Sequence, residues 1–173
     1  MGIKDNINIT FPDGNKREFE KGITGYQIAE SIAKSLAKEA IAINIDGIQK
    51  DLCDQIDSDS SISIITINTD EGLDIMRHTL TAQVLAKAVK TLYPEAKLAI
   101  GPTIEHGFYY DVLFEKPISS EDLPKIEKEM NKIISNGEII NKKICSKKDA
   151  IKLFEERNET YKIDIINNSD QDA

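Results

Sequence analysis

An α+β fold in two parts is what this chain predicts, on three observations. Near the N-terminus, runs of apolar residues alternate with polar ones; a helix-start signal sits between those runs; and a long amphipathic helix later gives way to mixed strand and helix patterns. The expected division is a first domain over 1–68 and a second over 69–173.

Ile7, Ile9 and Phe11 alternate with Asn8 and Thr10, the period of a half-buried strand, and Pro12-Asp13-Gly14-Asn15 supplies a turn from which Lys16 to Phe19 returns as a hairpin. Thr24 followed three residues later by Gln27 has the spacing of a capping box. Ile28, Ile32 and Leu36 then lay an apolar stripe along a helix from Gly25 to Ala37. Ile41, Ile43 and Ile45 alternate again, Asp46-Gly47 is a two-residue turn signal, and Ser61 to Ile67 reads as a last strand. A hairpin, a crossing helix and further strands in about sixty residues is the order a ubiquitin-like β-grasp requires, and also fits an unrelated α+β domain. Nothing in it has the make-up of a catalytic constellation.

The second domain opens with Thr69-Asp70-Glu71, an N-cap with acids in the first turn. Leu73, Met76, Leu80, Val84, Leu85, Ala88, Val89 and Leu92 then trace one broad apolar helix face up to Tyr93-Pro94. On an ideal wheel His78 aligns with Ala82, Leu85 and Val89, so it is expected to point inward, where a lone histidine is more often a satisfied core residue than a catalyst. Lys97 to Ile100 and Gly107 to Leu113 read as strands flanking a Pro102 to His106 loop, and Ser119-Ser120-Glu121-Asp122 caps a helix striped by Leu123, Ile126, Met130, Ile133 and Ile134. A weak strand pattern covers Ile139 to Ile144. Ser146 to Glu156 reads as a helix, Tyr161 to Ile166 as a terminal strand, and Asn167 to Ala173 as a polar tail. The run Gly101 to Asp111, with two glycines, a proline, three aromatics, a histidine and two acids, suits a shaped pocket wall.

The 173 residues are 40% hydrophobic and 30% charged, with a formal net charge of -8. That balance excludes a freestanding basic nucleic-acid binder, which needs Lys and Arg gathered on one face. Lys142, Lys143, Lys147 and Lys148, the densest basic run, read as a solvated face. Cys53 and Cys145 stand far apart outside any C-x-x-C spacing, which indicates neither a disulfide framework nor a zinc finger and fits a reducing cytosol, so the expected location is cytoplasmic. No apolar run is long enough for a bilayer. The start Met1 to Asn6 lacks the apolar core of a signal peptide, and Asn6 stands where a myristoylation motif wants Ser or Thr. Two histidines without a nearby cysteine predict no metal site.

The residues Glu71-Gly72-Leu73-Asp74-Ile75-Met76-Arg77-His78, Ala99-Ile100-Gly101-Pro102 and Gly107-Phe108-Tyr109-Tyr110-Asp111 closely resemble the N-terminal region of bacterial threonyl-tRNA synthetases. Phe11-Pro12-Asp13-Gly14 and Ser63-Ile64-Ile65-Thr66 resemble that family's leading TGS domain, a ubiquitin-like module shared with certain GTPases and stringent-response proteins. The resemblance spans nearly the whole chain and implies a TGS domain followed by the first part of an editing domain. In the family that domain hydrolyses the ester of serine wrongly joined to threonine tRNA. Such a second site is physically needed, because one missing methyl changes binding by only about 1–3 kcal/mol. The resemblance further implies threonine tRNA as partner, a homodimer for the full-length enzyme, and ATP and zinc in a ligase domain that this sequence does not contain, so no cofactor is expected in this chain.

Carried over residue by residue, the family's pocket gives His78 as the first histidine of its H-x-x-x-H pair, Tyr110 as the tyrosine of the G-F-Y-Y-D strand, and Lys162 in Tyr161-Lys162 as the lysine near the ester. Tyr110 also fits a core aromatic, and Lys162 a solvated strand lysine. His106 stands where the family has a small or amide residue and reads as loop surface. Two departures stand out. Thr79-Leu80-Thr81-Ala82-Gln83-Val84 is one residue longer than the family's stretch, so that, counted from downstream, Gln83 replaces the second histidine. Five residues is about 140° out of phase on an α-helix, so His78 and Gln83 share a pocket only if the turn between them widens into a π-bulge. Gln positions water but is no base. The family's later D-x-C-x-G-P-H segment does not occur in these 173 residues. The competing reading is therefore a non-catalytic RNA- or protein-binding module derived from the synthetase.

Overall fold

The computed structural model describes residues 5–170; the expectations for Met1 to Lys4 and for the last tail residues, 171–173, lie outside them. The chain divides into two compact units, one ending at Met76 and the other beginning at Arg77.

In the first unit the alternation at Ile7 and Ile9 becomes strand β1 (Asn6–Thr10), paired antiparallel with β2 (Lys16–Glu20) from Asn6↔Glu20 to Thr10↔Lys16. After the short β3 (Ile23–Thr24), Thr24 caps helix α1 (Gly25–Ile32): its hydroxyl accepts from the Gln27 N–H, and the Gln27 side chain accepts from the Thr24 N–H at 3.0 Å. The helix expected over Gly25 to Ala37 breaks at Ala33, whose φ of -161° and ψ of 140° are extended, and resumes as α2 (Lys34–Glu39). The break re-phases the apolar stripe. Ala37 turns into the core, while Ile32, the stripe's expected middle, is left exposed. Ser31 Oγ donates to Ile28 O at 2.7 Å just before the break, a back-bond that weakens a helix at that turn.

β4 (Ala40–Ile45) and β5 (Ile48–Lys50) are joined by Asp46 and Gly47, both with positive φ, 50° and 83°, the two-residue hairpin turn the pair predicted. β6 (Gln55–Ile56) pairs with β3. β7 (Ser60–Thr66) pairs antiparallel with β4 and parallel with β1, giving the order β2-β1-β7-β4-β5. This mixed sheet with α1 across it is the β-grasp. Ile7, Ile9, Ile28, Ile43, Ile56 and Ile62 form its core, each fully buried isoleucine worth about 1.5–3 kcal/mol.

One surface carboxylate ties this sheet to a loop. Asp59 accepts from the Asn8 backbone N–H at 2.7 Å and from the Asn8 side chain at 3.3 Å, and the backbone bond chiefly holds its pKa below the ordinary 3.8. A carboxyl depressed in the folded state binds protons more readily when unfolded, so its contribution is present above 3.8 and is lost as pH falls through the lower folded value. Asp59→Asn is expected to flatten the acid limb of a urea-midpoint titration run from about pH 5 to about pH 2. An unchanged acid limb contradicts this.

The division falls within helix α3 (Asp70–Thr79), whose start is capped by Thr69 Oγ1 accepting from the Gly72 N–H at 3.0 Å. The second unit is mostly helical: the end of α3 passes into a π-helical segment (Leu80–Leu85) and then α4 (Ala86–Leu92). Its expected apolar face is only partly covered: Leu73, Met76 and Leu92 are exposed. The two longer strands expected here are reduced to three two-residue pieces: β8 (Lys97–Leu98) stands for the first, and the second is split into β10 (Gly107–Phe108) and β11 (Val112–Leu113). β8 pairs with β11, and β10 pairs with β9 (Thr103–Ile104), which forms where only a loop was expected. Helix α5 (Leu123–Ser135) buries Ile126 and Ile133 but leaves Leu123 and Ile134 exposed. Asp122 makes no cap bond to the helix, and its carboxylate instead accepts from the Ser119 N–H at 3.0 Å.

No strand forms over Ile139 to Ile144. Those isoleucines find no pairing partner among the described residues, and Ile139, Ile140 and Ile144 are exposed. Ser146 caps α6 (Lys147–Glu156) as expected. The terminal strand expected at Tyr161 to Ile166 is a helix, α7 (Thr160–Asn167): Asn158, with φ of 54°, ends α6, and the Glu159 carbonyl accepts from the Lys162 and Ile163 N–H groups to start a new one. Ala86, Ala88, Val89, Ala96, Leu98, Ile126 and Ile133 make this unit's core.

Candidate functional site

The long helix does not keep one phase. Across the π-helical segment the Ala86 N–H donates to Thr81 O, five residues back, so one extra residue is absorbed in the turn. A widened turn is the condition on which His78 and Gln83 are expected to share a pocket; the turn is widened and their angular gap is smaller, yet Gln83 lines a hollow that His78 does not. The widening also undoes the wheel that linked His78 to Leu85 and Val89, because Leu85 ends the widened turn and Val89 lies beyond it. His78 is exposed, contrary to the inward placement expected, and the inward position falls to Thr81, which is fully buried and donates from Oγ1 to Arg77 O at 2.8 Å.

Arg77, beside it, donates from Nη1 to Glu105 O at 2.9 Å, fastening the β9–β10 hairpin to the helix. His106, at the hairpin tip, is exposed and lies 3.7 Å from the Glu105 carboxylate.

The structure brings Tyr110 and Lys162 together. Lys162 Nζ donates to Ala99 O at 2.8 Å and to the Tyr110 hydroxyl at 3.3 Å, and stands 5.6 Å from the centre of the Tyr110 ring. The lysine is thus half-buried against the strand layer, not a solvated strand lysine. Gly101 sits between the helix and this pair. A Cβ there would lie 2.6 Å from Thr81 Cγ2 and 2.8 Å from Tyr110 Cδ2, so the methyl of Thr81 and the Tyr110 ring close on bare backbone. Tyr110 also lines an apolar pocket of about 370 Å³ with Leu85, Val89, Phe108, Val112, Phe114 and Met130.

His78 and Gln83 are not joined to that pair. Neither makes a side-chain hydrogen bond among the described residues, and Gln83 is exposed on a different hollow of about 250 Å³, lined with Val84, Lys87, Ile133, Ile139 and Asn141. Among the described residues no three His, Cys, Asp or Glu side chains gather where they could hold a metal. No helix there is long and apolar enough to cross a membrane.

Four residues that shape this region were not singled out in the sequence as site residues: Thr81, Gly101, Lys90 and Glu159. Glu159 is 6% exposed and its carboxylate meets Lys90 Nζ at 2.9 Å. Its spacing of three before Lys162 is one helical turn, a signal hidden by the strand reading of that segment.

What this arrangement offers chemically is a cation and a phenol hydroxyl side by side, able to hold an ester carbonyl or a ribose hydroxyl and to stabilise developing negative charge.

Comparison with known proteins agrees with the residue patterns. Residues 7–66 match the TGS domain family. The threonine-tRNA ligase of Acetivibrio thermocellus is 49% identical over 160 residues, 92% of this chain and 25% of the relative. Those of Anoxybacillus flavithermus and Halalkalibacterium halodurans are 48% and 46% identical over 165 and 172 residues, 95% and 98% of this chain and 26% of each relative. The chain therefore spans about a quarter of the length of the curated relatives it matches. With its β-grasp sheet in place and identity running through both units, the chain carries a TGS domain over residues 7–66 and is similar along nearly all its length to the N-terminal quarter of threonine-tRNA ligases.

Proposed function

We infer that the second unit carries part of an esterase site that proofreads aminoacyl-tRNA, removing serine from threonine tRNA, within a protein whose relatives are named as threonine-tRNA ligases. The observation that supports this reading best is the Lys162–Tyr110 pair at 3.3 Å, backed by Ala99 O and by the Gly101 gap. Lys162 and Tyr110 bind the ester end of the substrate. The ammonium steadies negative charge as water attacks the carbonyl, and the phenol hydroxyl fixes the orientation of the group it touches. His78, exposed on the helix that carries Thr81, is the candidate to take the proton from water and to return it to the ribose oxygen as the ester C–O bond breaks, while Gln83, expected to hold that water, lines a different hollow and stays outside the step. Threonine tRNA is the partner, and ATP and zinc are expected only for the portion of the relatives that this chain does not span.

The test is to incubate the chain with seryl- and threonyl-tRNA of threonine specificity and follow deacylation. Serine should be released faster than threonine, and Lys162→Ala should lower the seryl rate by about 100-fold, the usual loss when one stabilising donor is removed. No hydrolysis above buffer, or an undiminished Lys162→Ala, overturns the reading.

A second reading, a non-catalytic binding module, is favoured by one observation: Gln83 replaces a histidine and faces a different hollow from the Lys162 pair. It predicts salt-dependent retention of uncharged tRNA in a gel shift together with no deacylation.

A further inference from the structure

Glu159 is a buried acid that the proposed hydrolysis does not use. A carboxylate with its side chain 8% exposed survives in a folded protein only if its charge is met, and here it is met fully. Oε1 lies 2.9 Å from Lys90 Nζ, and Oε2 reaches the Leu98 N–H at 3.5 Å. Lys90 spends its other two protons on Pro94 O at 2.8 Å and Ala96 O at 2.9 Å, so all three donors of the ammonium are matched.

The backbone of Glu159 is equally committed. Its N–H donates to Phe154 O at 2.9 Å, and its carbonyl accepts from the Lys162 N–H at 3.1 Å. Glu159 therefore starts α7 with its main chain while its side chain fixes that start to α4 and β8.

α7 is eight residues long and buries no residue of its own, so hydrophobic packing holds it only weakly. Its far end is tied to α6, where Lys147 Nζ donates to Asn167 O at 3.2 Å and to Ser169 O at 2.8 Å. Its first turn is tied to two consecutive residues, to Leu98 by Glu159 and to Ala99 by Lys162. With the Glu159 anchor gone, Lys162 alone holds that first turn, which swings about the Lys147 end, and the ammonium leaves the Tyr110 hydroxyl.

We propose that Glu159, clamped by Lys90, is the positioning residue for Lys162. The proposal rests on Lys162 belonging to the ester site only for its bearing on catalysis; the placement of the ammonium is tested independently.

The test compares acetylation of Lys162 with that of exposed Lys152 in the same sample, by limiting N-hydroxysuccinimidyl acetate and peptide mass spectrometry. In the wild-type chain Lys162 reacts more slowly than Lys152. In Glu159→Gln, with circular dichroism unchanged, the Lys162 to Lys152 ratio should rise about fivefold as the local structure opens, whereas Lys90→Arg, which keeps the charge, should leave it low. If Glu159→Gln does not fold, Glu159→Asp, which keeps the charge on a shorter arm, takes its place and should raise the same ratio. An unchanged ratio in the folded variant overturns the proposal. Where the wild-type chain deacylates seryl-tRNA, Glu159→Gln should lower kcat towards that of Lys162→Ala. Where the wild-type chain is inactive but the acetylation ratio still rises, the esterase reading fails and the positioning role of Glu159 stands.

Discussion

Gly101→Ala is expected to destabilise the second unit by about 1–3 kcal/mol, the range for forcing an extra methyl into a packed interior, and to part Tyr110 from Lys162. The added Cβ would stand 2.6 Å from Thr81 Cγ2 and 2.8 Å from Tyr110 Cδ2. Thr81 cannot yield, because it is fully buried and its hydroxyl is held by Arg77 O at 2.8 Å. Tyr110 is half-buried and backs onto an apolar pocket, so the ring is the part that moves, and its hydroxyl moves with it. Four of the five tyrosines, Tyr93, Tyr109, Tyr110 and Tyr161, lie in this unit and there is no tryptophan, so urea unfolding followed by tyrosine fluorescence reports mainly on it. Gly107→Ala is the matched control: a Cβ there meets nothing within 4 Å, and its midpoint should stay within about 0.5 kcal/mol of wild type. Equal effects from the two substitutions would mean that Gly101 is not the spacer between helix and tyrosine. In the deacylation assay Gly101→Ala should resemble Lys162→Ala, since both remove the same pair.

The unequal legibility of the two units has a physical cause. In the first unit each element signals locally: alternation at Ile7 and Ile9 needs only a sheet with one wet face, Asp46-Gly47 suits only a turn with two positive φ angles, and Thr24 with Gln27 closes a cap within four residues. Ala33 is the exception, since nothing in Ser31-Ile32-Ala33-Lys34 forbids a helix there. In the second unit short elements are placed by distant partners. The alternation of Tyr161, Ile163 and Ile165 resembles a strand, yet the chain forms α7, held by Glu159 and Lys162 onto a strand sixty residues earlier. Ile139 to Ile144 carries a strand pattern but has no neighbour to pair with among the described residues. His78 shows both sides of the matter: counting the extra residue before Val84 raised a π-bulge as a condition, and the bulge is present, whereas a wheel of constant pitch drawn through that same residue placed the imidazole inward, and it lies outward.

Ile43→Ala is expected to cost the β-grasp unit about 2–5 kcal/mol, enough to unfold a marginal sixty-residue domain. Ile43 is fully buried on β4, opposite Ile64 of β7, and α1 rests directly on it: a Cβ on Gly25 would stand 3.1 Å from both Ile43 Cδ1 and Cγ2. The helix begins with a residue that has no side chain because the isoleucine occupies that space. Truncating Ile43 therefore opens a cavity beneath the first turn of α1 that Gly25 cannot fill. This predicts a reversal of sign. In the wild-type background Gly25→Ala is crowded and at best neutral, whereas in the Ile43→Ala background the same methyl enters the void and should recover about 1 kcal/mol, helped by the better helix propensity of alanine. Ile43→Val should fall between, at about 0.5–1.5 kcal/mol, and exposed Ile48→Ala should be nearly silent. Hydrogen exchange of peptides covering Ala40–Ile45 and Ser60–Thr66 reads these values for this unit alone, free of the other unit's transition. Additive effects of Gly25→Ala and Ile43→Ala would show that α1 is held by its flanks and the Thr24 cap, and that Ile43 is not its seat.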